Sequence, residues 1–144
     1  MYKRQPYPSF ATFDAPNRET CVVRRDRSNT PLQAFVTLND PVFVETSQAL
    51  ARRLLKEGGA TDESRLKLAY ALCLSREPDA GELKTLKALL AKSLAEYRAD
   101  AAQAGKMATQ PLGPADKGAD LPTLAAWTAV SSVIMNLDEF LMRR

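Results

Sequence analysis

The 144-residue chain contains no histidine. It therefore lacks the commonest general base and the commonest metal ligand. Cysteine is nearly as scarce, with only Cys21 and Cys73. A structural zinc site of the usual Cys and His ligands cannot be assembled within one chain, and no metal is expected. Spacing leaves open whether the two thiols pair or stay free. Ser28, Ser47 and Ser75 have no histidine to activate them. No stretch reaches the roughly 18 apolar residues of a membrane span, so none is expected. A surplus of one charge is also missing, since 20 Lys and Arg stand against 17 Asp and Glu. Without Lys3 and Arg4, set aside below, the balance is 18 to 17. A nucleic-acid module concentrates basic residues on one face. Here acids interleave with the bases, and no nucleic-acid partner is expected.

What is present begins with a segment to exclude. Residues 1–5, Met-Tyr-Lys-Arg-Gln, read as the translation of a transposon-end sequencing tag, and such a scar lies outside fold reasoning. On that reading the chain is the C-terminal piece of a longer protein. Residues 6–28 read as an extended arm, because Pro6, Pro8 and Pro16 interrupt any helical period. Phe10 and Phe13 are the residues expected to pack it down, and 20–23 is a short edge-strand candidate.

A helical domain is expected over 29–144. Asn29 or Thr30 caps a first helix with Pro31 at its first position. Leu32, Phe35, Val36 and Leu38 supply its apolar face. Asn39-Asp40-Pro41 ends it and opens a second helix, with Asp40 as N-cap, running to about Lys56. Its expected buried stripe is Phe43, Ser47, Leu50 and Leu54, and Gly58-Gly59 stops it. Thr61-Asp62-Glu63 opens a third helix that buries Leu66, Ala69, Tyr70 and Cys73. Asp79 and Glu82 form a capping-box pattern for a long fourth helix through Leu83, Leu86, Leu90, Leu94 and Tyr97. Residues 105–122 are rich in Gly, Pro and Ala and read as a long flexible loop. A fifth helix runs from about Pro122 to Asn136 around Trp127, Val130 and Ile134, and Asn136 caps a final turn. With no strand–helix alternation, the expected fold is all-α. It is an irregular bundle of about five helices with an extended N-terminal arm.

Two clusters carry candidate chemistry. Arg24, Arg25 and Arg27 suit an anion, since guanidinium binds carboxylate, sulfate or phosphate bidentately. The competing role is ion pairing with Asp14, Glu19, Asp26 or Asp40, with Glu45 close by. Asp40 and Glu45, with Asp138 and Glu139 near the end of the chain, are candidates for a paired-carboxylate site. Helix capping and first-turn placement account for the same four residues at less cost. Trp127 is a sugar-stacking platform or, at its helical spacing, a core anchor.

Several segments are similar to one family. They are Asn17-Arg18-Glu19-Thr20-Cys21 with Arg24-Arg25, Asn29-Thr30-Pro31-Leu32-Gln33-Ala34, Leu38-Asn39-Asp40-Pro41 with Val44-Glu45, and Trp127 with Asn136-Leu137-Asp138-Glu139-Phe140. Together they resemble the C-terminal domain of unknown function 1553, found in large planctomycete-type proteins. That domain typically follows domain of unknown function 1549, often with a cytochrome c-like domain upstream. The resemblance implies a secreted or periplasmic parent and further N-terminal domains of the same protein as partners. Haem would belong to those upstream domains, since this chain has no C-x-x-C-H motif and no cofactor is expected in it. An anionic glycan is the alternative partner, for an enzyme or binding module acting on polysaccharide. No activity is expected of this chain alone. With upstream domains removed, an apolar face is expected to stay exposed and to drive self-association.

Overall fold

Polar caps set the helix boundaries. The computed structural model describes residues 12–15, 21, 23, 28 and 30–142. Among these, seven helices follow one another: α1 (Pro31–Asn39), α2 (Pro41–Glu57), α3 (Asp62–Leu74), α4 (Ala80–Ala99), α5 (Ala101–Thr109), α6 (Leu121–Met135) and α7 (Asp138–Leu141). The described residues contain no strand, and Cys21 and Val23, from the strand candidate, are irregular. No helix among them is long and apolar enough to cross a membrane.

Thr30 caps α1 in a reciprocal box. Its hydroxyl accepts from Gln33 N–H, and the Gln33 side chain accepts from Thr30 N–H. One residue, Asp40, turns α1 into α2, its carboxylate accepting from Val42 N–H at 2.9 Å. At the far end of α2 a Cβ on Gly58 would lie 2.5 Å from Leu54 O and 2.6 Å from Arg65 Cγ. Only glycine lets α3 begin that close. The left-handed residue there is Gly59, at φ +80°. Thr61 caps α3, and the Asp79–Glu82 capping box opens α4.

The core is built around α6. Leu124, Ala125, Ala126, Trp127, Val130 and Ile134 are spread around the helix and are all buried. A helix apolar all round belongs inside a protein, and here α2, α4 and α5 enclose it. They contribute Leu54 and Ala51, Leu86 and Leu90, and Ala104 and Ala108, while α3 adds Leu66, Ala69 and Tyr70. Trp127 is thus a core anchor, 1% exposed, not a stacking platform.

Four expectations need correction. Residues 105–122 are not one loop, because 105–109 complete α5 and Leu121 and Pro122 open α6. The irregular connection is only 110–120. Asp100 makes the difference by ending α4 and capping α5, accepting from Gln103 N–H at 2.9 Å. The α2 stripe is also displaced, since Gln48 and Ala51 are buried with Ser47 and Leu54 while Phe43 and Leu50 are half-buried. Asn136 does not cap α7: it is the C-cap of α6, and Leu137 precedes α7 without a side-chain cap bond. The fourth correction, the orientation of α1, bears on function and follows.

Candidate functional site

Helix α1 sits with its apolar side outward. Leu32, Phe35 and Leu38 are 60%, 67% and 45% exposed, and Val42 at the start of α2 is 56% exposed. The buried residues are Gln33 and Thr37, each at 2%. Specific hydrogen bonds produce this inversion. Gln33 Nε2 donates to Thr12 O at 2.8 Å and to Ser28 Oγ at 3.0 Å. Thr37 Oγ1 donates to Asn136 Oδ1 at 2.7 Å. Rotating α1 to bury Phe35 would break these bonds and strand their partners, at about 1–3 kcal/mol for each buried group left unsatisfied. At about 100° per residue, Phe35 lies opposite the midpoint of Gln33 and Thr37, with Leu32 and Leu38 about 60° to either side of it.

The arm joins the same corner. The Asp14 carboxylate accepts from Ser28 N–H at 2.9 Å and from Ser28 Oγ at 2.6 Å. The Phe13 ring packs against Phe43 with centroids 5.7 Å apart. Asp14, a candidate partner for the arginine cluster, is therefore engaged by Ser28. Arg24, Arg25, Arg27 and Asn29 lie outside the described residues, as does Phe10.

The remaining candidates are dispersed into local roles. Asp40 is the α2 N-cap, Asn39 Nδ2 donates to Phe35 O at 2.8 Å, and Glu45 is exposed on α2. Asp138 begins α7. Glu139 accepts from Arg76 Nε at 2.8 Å. Ser47 donates to Phe43 O from a buried position, and Ser75 is the left-handed C-cap of α3. Cys21 is exposed and Cys73 half-buried; both are free thiols, and burial pushes the Cys73 thiol up. Among the described residues no group of three or more Cys, Asp or Glu is placed to hold a metal ion.

Two polar assemblies were not singled out from the sequence. The first is Arg76, whose guanidinium forks onto both Glu82 oxygens at 2.6 and 2.8 Å while Nε holds Glu139. It also lies 5.2 Å from the Tyr70 ring centroid. Arg76 thus ties the end of α3 to the starts of α4 and α7. The hydrogen bonds that Arg76 donates hold the Glu82 carboxyl down at about 2, and the acceptors Glu82 and Glu139 push the arginine up in turn. Burial, then the Glu82 charge, raises the Tyr70 phenol. The legible signal was the arginine three residues before the Asp79–Glu82 box.

The second assembly is on α2. Buried Gln48 donates from Nε2 to Met107 O and Gln110 O, both at 2.7 Å, and its Oε1 accepts from Leu112 N–H at 3.0 Å. One turn on, Arg52 donates to Gly113 O at 2.6 Å. These side chains hold 107–113 against the bundle. Beyond them an open groove of about 610 Å³ is lined by Arg52, Arg53, Lys56, Asp116, Asp120 and Leu124. Charges of both signs line it, so it favours neither an anion nor a cation.

The family model PSD1, protein of unknown function (DUF1553), matches residues 1–90. The chain belongs to this family. No curated protein matches it, and no solved structure does. The matched residues include the segments from Asn17 to Glu45 and therefore the whole of α1. Trp127 and 136–140 lie beyond the match, yet Thr37 inside it bonds Asn136 outside it. The family name assigns no function.

Proposed function

We propose that this domain is a helical packing and interaction domain, the C-terminal part of a larger secreted or periplasmic protein, and that it makes polypeptide contacts through α1. The observation that carries this reading is the inverted helix: Gln33 and Thr37 are held inward by hydrogen bonds while Leu32, Phe35, Leu38 and Val42 face out. Scattered exposed apolar residues need no explanation, but a contiguous apolar face on one element marks a contact surface. The dispersed carboxylates support contact over catalysis, because Asp40 and Glu139 serve the fold. The secreted or periplasmic setting and the larger parent rest on the family resemblance.

The test is binding of a hydrophobic fluorescent dye to the native chain, alongside titration with a sulfated polysaccharide. The expected result is dye binding that Leu32→Glu with Phe35→Glu removes without loss of helical ellipticity, and no response to the polysaccharide. Dye binding that the double variant leaves unchanged would contradict the reading. So would saturable polysaccharide binding that the same variant leaves intact.

A further inference from the structure

Resting on that reading, we infer that the polypeptide covering α1 is a second copy of the same chain, docked by an antiparallel α1–α1 contact about a twofold axis at Phe35. A twofold contact must be self-complementary: if residue i meets j, then j meets i. The exposed residues of α1 satisfy this in spacing and chemistry. Leu32 and Leu38 stand three residues before and three after Phe35, and all three are exposed apolar side chains. With Phe35 against its own copy, Leu32 of one protomer meets Leu38 of its partner, and the reverse.

Charge makes the same choice of occupant. The sequence of α1, Pro-Leu-Gln-Ala-Phe-Val-Thr-Leu-Asn, carries no charged residue in a chain that is 26% charged. Asp40 at the corner directs its carboxylate to Val42 N–H. Two α1 helices can therefore meet without like charges of their own in opposition, which would otherwise be costly at a symmetric interface. Asn39 lies on the same side, but its amide is turned back onto Phe35 O. The contact is small, because α1 is only about 14 Å long. Interfaces below about 1,200 Å² are weak and transient, so the dimer is expected to dissociate in roughly the micromolar to hundred-micromolar range.

Sedimentation velocity of the wild-type chain over about 0.1 µM to about 1 mM spans that range. The weight-average mass should climb from the monomer value of 15.8 kDa toward twice it. Phe35→Glu and Phe35→Lys should each raise the dissociation constant roughly 30-fold or more, as loss of a central anchor does. Mixed in equal amounts, they should restore the dimer, because opposite charges then meet on the axis. A wild-type chain that stays monomeric at the highest concentration overturns the inference, and that series needs no variant. A mixture that associates no better than its components overturns it too. Melting the Phe35→Glu variant separates this failure from that of the interaction reading. An unchanged melting temperature with a monomeric wild type discards only the second copy. A large fall in melting temperature discards the outward face itself.

Discussion

Thr37 shows how one hydroxyl decides which way a helix faces. It is buried and bonds Asn136, a residue 99 positions away, so the two ends of the helical domain meet at this hydrogen bond. Thr37→Val keeps the shape and removes the donor, leaving the Asn136 carbonyl without it. The expected cost is about 0.5–1.5 kcal/mol in urea unfolding, the net worth of one hydrogen bond, since Asn136 is half-buried. A loss of stability too small to measure would show that the hydroxyl does not fix α1. Gln33 plays the matching role at the other end of the helix. Its capping-box position after Thr30 was readable in the sequence, but its bonds to Thr12 and Ser28 were not.

At the level of elements, Arg76 and Gln48 do what apolar packing does elsewhere. The folded Glu82 carboxyl is held at about 2 against an ordinary 4.5. A depressed carboxyl contributes stability that is fully present above the ordinary value and lost as pH falls toward the folded one. Melting temperatures of wild type and Glu82→Gln should therefore differ most above pH 4.5 and converge as the pH falls toward 2. A difference that stays constant across that window would contradict the Arg76 clip. Gln48→Ala should release 107–113 and cost about 1–3 kcal/mol. Amide exchange should speed up at Leu112, whose N–H it binds, and not at Val130 in the core. Equal exchange at Leu112 in both proteins would remove Gln48 from its holding role. The helices α3, α4 and α6 were legible because their apolar spacing and their burial coincide, as at Leu66, Leu86 and Trp127. Helix α5 was missed because Gly and Ala composition outweighed the Asp100-x-x-Gln103 start signal. The face of α1 was misassigned because local periodicity counts apolar positions and cannot see hydrogen-bond partners 21 and 99 residues away.

For the whole molecule, the core is complete without α1: α6 is enclosed by α2, α4 and α5, with α3 closing the bundle. That leaves α1 free to present Leu32, Phe35 and Leu38 outward on a polar base. Little of the candidate site could be read in advance: the arginine cluster lies outside the described residues, and of the candidate carboxylates Asp40 serves as a cap and Glu139 as a partner of Arg76. The exposed apolar residues of α1 were named in the sequence, but on the wrong side of their helix. Thermal unfolding of Leu32→Glu with Phe35→Glu tests the outward placement most directly. If the face is outward, the melting temperature stays within about 2–4 °C of wild type, the shift expected from roughly 1 kcal/mol in a domain of this size. If those side chains are instead part of the core, the double substitution costs well over the 3–5 kcal/mol of a single buried aromatic deletion, and the melting temperature falls by about 10 °C or more.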